Sequence, residues 1–128
     1  MGRFTRRTLS EAVAGAPDRL AAERTGLRAF LEIAATRPTL YSIVEEARFV
    51  DPPSYDAYFK GFAQNYARNL EAAAREGTIR PGNAEIRAWA LMGLAVTLGE
   101  RYGQRNPAAD RDTVVAEVFD MLERGLRP

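Results

Sequence analysis

The side chains with the most chemistry to offer in this 128-residue chain are rings and amides rather than nucleophiles. Between residues 55 and 76, Tyr55, Phe59, Phe62 and Tyr66 recur at helical spacing, Leu70 and Ala73 continue the stripe, and Tyr58 lies at its edge. Asn65 and Asn69 border it. Aromatic residues at this spacing most often form core. Two features point further, to a pocket. Large planar rings leave gaps when they pack on one another, and buried tyrosine hydroxyls need partners. Apolar walls with a few polar groups are also what small-molecule sites are made of. The chemistry implied is non-covalent recognition of a small apolar or aromatic molecule. Its walls are Tyr58, Phe59, Phe62 and Tyr66 with Trp89 and Met92 from a later segment, and Asn65 and Asn69 supply hydrogen bonds. Tyr41, Glu45 and Arg48 share one face of an earlier segment, either as a solvated i,i+3/i+4 cluster or as the rim of the same pocket.

Covalent chemistry is poorly served. The chain has no histidine and no cysteine, which removes the commonest general base, the commonest transition-metal ligand and any disulfide framework. Glu45 and Glu46 are adjacent, so on a helix they diverge by about 100° and cannot share a catalytic site. Asp110 and Asp112 sit where a helix starts, as the helix dipole favours. No Gly-rich phosphate loop, nucleophile elbow or ligand-spaced cluster is present. The sequence therefore predicts a non-enzyme with no cofactor and no metal.

The elements that must position the rings are helices. "PDRLAAERTGLRAFLEIAATR" places Leu20, Leu27, Phe30, Leu31 and Ala34 on one face and closes at Arg37-Pro38. "PTLYSIVEEARFV" begins at a proline, with Leu40, Ile43, Val44 and Ala47 inward. The ring-bearing helix opens after Pro52-Pro53 with Ser54 as N-cap and ends at Gly77, a natural C′ residue. Asn83 caps the next helix, and Asp110 begins the last after the loop "QRNPAAD". Residues 1–17, with Arg3, Arg6 and Arg7, read as a solvated arm or a remnant of a linker helix, and residues 18–128 as one helical ligand-binding and dimerisation domain. Hydrophobic content of 46% with 27% charged residues excludes a disordered chain. A net charge of +1 gives no basic field that would hold nucleic acid by itself. No apolar run reaches the ~20 residues of a membrane span, and a cytoplasmic location is expected.

One helix has too few polar residues. From Ala88 to Gly99 only Thr97 carries a side-chain polar group. The last helix offers Val114, Val115, Val118, Phe119, Met121, Leu122 and Leu126, an arc wider than the ~100° stripe of a surface helix. Two consecutive helices with surplus apolar surface imply that part of it meets a second copy. We expect a homodimer joined through a four-helix interface, with Ala90, Gly93 and Thr97 as a close-approach strip and Val115, Phe119 and Leu122 facing them.

The stretch "RAFLEIAATRPTLYSIVEEARFVDPPSYDAYFKGFAQNYARNLEAAAREGTIRPGNAEIRAWALMGL" resembles the C-terminal regulatory domain of TetR-family transcriptional regulators. The most telling part is "AAAREGTIRPGNAEIRAWALMGL": an amphipathic helix ending in glycine, a short hydrophobic-basic turn, then an acidic-capped helix rich in Ala and Gly. The similarity covers about residues 27–126. It implies an all-α bundle-like domain of five to six helices that dimerises through its last two helices and encloses a hydrophobic effector pocket. Effector binding in such a domain changes the spacing of paired DNA-reading domains and releases the operator. The family's N-terminal helix-turn-helix domain has no counterpart in this sequence, so DNA contact by this chain is not expected. Two other readings remain open: a freestanding helical adaptor between proteins, and a carrier of a small apolar metabolite.

Overall fold

In the computed structural model the described residues are 7–9, 11, 14–16 and 18–128, and their regular structure is helical. Of the N-terminal arm, Arg3 and Arg6 lie outside the described residues, while Arg7 is exposed. Helix α1 spans Arg19–Thr36, α2 Pro38–Val50, α3 Pro52–Glu76, α4 Ala84–Gly99 and α5 Arg111–Leu126. A π-helical turn, Glu100–Gln104, extends α4.

Local chemistry sets most of these boundaries. Side chains accept from first-turn amides at three starts: Asp18 from Ala21, Asn83 from Ile86, and Asp110 from Asp112 and Thr113. Helix α3 begins earlier than expected. Asp51 is its cap and accepts from the Ser54 amide at 3.4 Å, so Ser54 lies in the first turn. The reason is Pro52-Pro53, whose fixed φ and missing amides suit the first helical positions. Gly77 ends α3 at φ +80°, a conformation that L side chains rarely adopt.

Helix α1 is the centre of the fold. It packs against every other helix and against the π turn. Leu27 and Leu31 of α1 form one core cluster with Val115 and Phe119 of α5, flanked by Leu94, Ala95 and Leu98 of α4. A second cluster joins Leu70 and Ala73 of α3 to Ala84 and Ala88 of α4, with Ile79 from the connecting loop only 1% exposed. Small residues at these α3–α4 contacts let the two helices lie close. On the outer side, Arg24 pairs with Glu123 at 2.6 Å and Arg28 with Asp112 at 2.5 Å, fixing the register of α1 against α5. Arg87 donates to the Arg80 and Pro81 carbonyls, and the Arg80 amide donates to Leu126, so the "TIRPG" loop is tied down at both ends.

The polar-poor helix α4 is covered on one side only. Ala84, Ala88, Met92 and Gly99 are buried, whereas Ile86 is 66% and Trp89 40% exposed, and Ala90, Gly93 and Thr97 face outward. The expected interface residues therefore divide. Val115 and Phe119 are 4% and 2% exposed within the protomer, because α1 covers the inner part of the wide apolar arc of α5. They are core residues, which corrects their assignment to a dimer surface. Leu122 is half-buried against the same cluster. None of the helices among the described residues is long and apolar enough to cross a membrane.

Candidate functional site

A cavity of about 910 Å3 opens between α1, α2, α3 and α4, near the upper end of the range for small-molecule sites. Helix α3 supplies a wall of rings. Tyr55 and Phe59 lie 4.6 Å apart, Tyr58 meets Phe59 edge-on at 5.0 Å, and Tyr58 and Phe62 are 6.3 Å apart. These are favourable aromatic separations, so the rings support one another and leave a face open. Leu70 and Ala73 anchor the far end of the helix in the core and so fix how the wall is presented. Tyr58, Phe59, Phe62, Asn65, Tyr66, Asn69 and Met92, the residues expected to contact a ligand, all line this space.

Trp89 does not. It stands on the exposed face of α4, about 60° around the helix from Met92, and its assignment to the pocket is corrected accordingly. Leu9 reaches the cavity from the N-terminal arm.

Opposite the rings, Tyr41 of α2 is 8% exposed and donates to the Val96 carbonyl at 2.5 Å. Its ring tilts on Phe30 at 6.0 Å. This hydroxyl sits where α4 widens into the π turn, as expected when a side chain intrudes on a helical hydrogen-bond ladder. The turn in turn needs Gly99 and Gly103. A Cβ on Gly99 would lie 2.6 Å from the Phe30 ring, and one on Gly103 2.6 Å from the Ala34 methyl group. Gln104 locks the turn by donating to Ser42 at 2.5 Å. Burial, and then the nearby Glu45 and Glu100 carboxylates and Tyr55, push the Tyr41 hydroxyl well above its ordinary range, so it stays protonated. Burial first, then Glu100, also raises Glu45, with Arg105 opposing. Tyr41, Glu45 and Arg48 thus belong to the cavity rim rather than to a detached surface cluster.

The polar pair on α1 was not among the expected site residues. Arg19 and Glu23 line the cavity, with Nε and Oε1 2.9 Å apart and side chains 19% and 10% exposed. An arginine and a glutamate four residues apart read as a routine surface pair. Their register with Ala22, Gly26, Phe30 and Ile33, which line the same space, was the available signal. Burial pushes the Glu23 carboxyl up to about 7 even though Arg19 draws it down. No cluster of metal-ligating side chains occurs among the described residues. Comparison with family models finds no match to this chain, and comparison with curated proteins finds none either.

Proposed function

We propose that this chain is the small-molecule-sensing and dimerisation domain of a TetR-like transcriptional repressor. The observation that carries the reading is the cavity: about 910 Å3, walled by the α3 rings and edged by a few charged and amide groups. Effector binding there would act by shifting the population between two arrangements of a dimer, a coupling that requires unequal effector affinity for the two. Operator DNA would be read by a helix-turn-helix unit outside this sequence. The chain also resembles such domains in its "AAAREGTIRPGNAEIRAWALMGL" segment.

Native mass spectrometry of the protein taken gently from its own cells tests the site. A small molecule retained by the native protein and lost from Phe62→Ala is the expected result. Truncating one ring of the wall removes about 3 kcal/mol of apolar contact at most, or roughly a hundredfold in affinity. A chain that retains nothing, and for which no apolar compound alters the melting temperature, contradicts the reading.

The homodimer surface is assigned to the open face of α4, where Ile86, Trp89, Ala90 and Gly93 follow helical spacing and Thr97, which also edges the cavity, continues them, with Met121 of α5 also 60% exposed. Gly93→Asp is the clean probe, because a Cβ at Gly93 meets nothing within 4 Å in the protomer. Sedimentation is expected to show a folded monomer for the variant and a dimer for the wild type at micromolar concentration. A wild-type chain that sediments as a monomer would favour the carrier reading, which needs the cavity but no second copy.

A further inference from the structure

We propose that the cavity takes an elongated amphipathic carboxylic acid, with its carboxylate on the Arg19 guanidinium beside Glu23 and its apolar body along the rings of α3. This inference rests on the cavity being a small-molecule site and specifies the chemistry it selects.

Three observations lead to it. The first is shape. Cavity-lining residues of α1 run from Arg19 to Ile33, about 21 Å at the helical rise. On α1 the polar pair stands at one end of this length and Phe30 and Ile33 at the other, and Phe59 and Phe62 of α3 line the same space. Asn69 and Arg19 lie together, since both also edge a smaller cavity of about 320 Å3.

The second is incomplete pairing. Arg19 Nε is buried and makes no hydrogen bond, although a Glu23 oxygen is 2.9 Å away. The contact is one of charge without a directed bond. A guanidinium carries five donors in a planar fork that matches a carboxylate, and a largely buried guanidinium whose Nε makes no directed bond favours an incoming anion.

The third decides the sign of the ligand. A basic ligand paired with Glu23 would sit beside the positively charged Arg19 guanidinium, 2.9 Å from that carboxylate. An acidic ligand paired with Arg19 sits beside a carboxyl already raised to about 7, which can take one proton from solvent and donate it as a hydrogen bond. Only the acid leaves no like charges in contact. The other charged groups on the cavity are Arg68 of α3, Glu45 and Arg48 of α2, and Glu100 beyond α4, together with the tyrosines Tyr41, Tyr55, Tyr58 and Tyr66. Helix α5 contributes only Phe119 and Leu122 to it. Among the described residues Arg19 is the one charged group that acts on Glu23.

The experiment is calorimetric titration of the full chain with decanoate, decanol and decyltrimethylammonium, three probes that share one alkyl length. Decanoate is expected to bind at least about tenfold more tightly than decanol, the gain of one charge-assisted hydrogen-bonded pair. Its affinity should fall about tenfold between about pH 6 and about pH 8, because the complex holds a proton on Glu23 that the free site gives up. Arg19→Gln should lose the preference for the acid while still binding decanol, which shows that the cavity is intact. Glu23→Gln should keep decanoate binding and lose its pH dependence. Equal binding of acid and alcohol by the wild type, or an acid preference that survives in Arg19→Gln, overturns the proposal and leaves the cavity reading standing. Preference for the ammonium probe overturns it with the opposite sign. Binding of none of the three overturns both.

Discussion

Phe119→Ala is expected to lower the unfolding free energy by about 3–5 kcal/mol, a large part of the ~5–15 kcal/mol that holds a domain of this size. The ring is 2% exposed and packs on Leu27, Leu31 and Val115, with the Arg24 guanidinium 5.4 Å from its centroid. Truncation removes buried apolar surface and leaves a void. That void adjoins the ligand cavity, which Phe119 also lines, so collapse of the surrounding side chains cannot readily fill it. Urea unfolding measures the effect directly, and the melting temperature should drop by roughly 10–20 °C. Met121→Ala is the control. That side chain is 60% exposed on the same helix and should cost within about 0.5 kcal/mol in the protomer. If Met121→Ala were the damaging change and Phe119→Ala the silent one, α5 would be turned the other way on α1. The same packing means that Phe119→Asp cannot report on a dimer surface, because it places a charge in the protomer core.

The contrast between Phe119 and Met121 shows what a sequence pattern can carry. Helix starts and stops depend on neighbours in the chain, and Asp18, Asn83, Asp110 and Gly77 could be read directly. The α3 stripe was equally legible, since Tyr55, Phe59, Phe62 and Tyr66 keep one face along a helix whose opposite side is charged. A wide apolar arc is different. It says that a helix has surplus apolar surface, not which part its own fold will claim, and α1 claimed Val115 and Phe119. Trp89 and Met92 lie on neighbouring arcs of α4, and the crossing of α3 over α4 decides which one enters the cavity. The π turn depends on Tyr41, Ser42 and Phe30 meeting residues more than fifty positions away, so local propensity could not show it. The Arg19–Glu23 pair was hidden for a related reason. Helix α1 also carries exposed charges at Arg24, Arg28 and Glu32, and the tertiary packing shows that Arg19 and Glu23, unlike these, have lost most of their water.

Glu23→Gln is expected to stabilise the chain at about pH 8 and to do so only by about a quarter as much at about pH 5. In the unfolded chain Glu23 titrates at its ordinary 4.5, and burial in the fold moves it up to about 7. Between those values the native chain holds a proton that the unfolded chain has released. Wild-type stability from this group therefore falls as the pH rises through that window and is level above it. The full difference is about 3 kcal/mol. Glu45, also raised by burial, acts in the same direction. Asp110, held down by hydrogen bonds from Thr113, and Glu123, held down by Arg24 and Arg127, act only at lower pH, where their stabilisation is lost as they take up protons. Glutamine has the shape and neutrality of the protonated acid, so the variant should escape the penalty. Urea midpoints for both chains at about pH 5, 6.5 and 8 measure the gap, which should open with rising pH to about 3 kcal/mol. A gap that stays constant with pH would mean that Glu23 is not desolvated by the fold. A residue that weakens the fold near neutral pH while facing the cavity is the pattern expected where stability is given up for a site. If the variant that gains stability at about pH 8 is also the one whose decanoate affinity no longer changes with pH, one proton on Glu23 accounts for both effects.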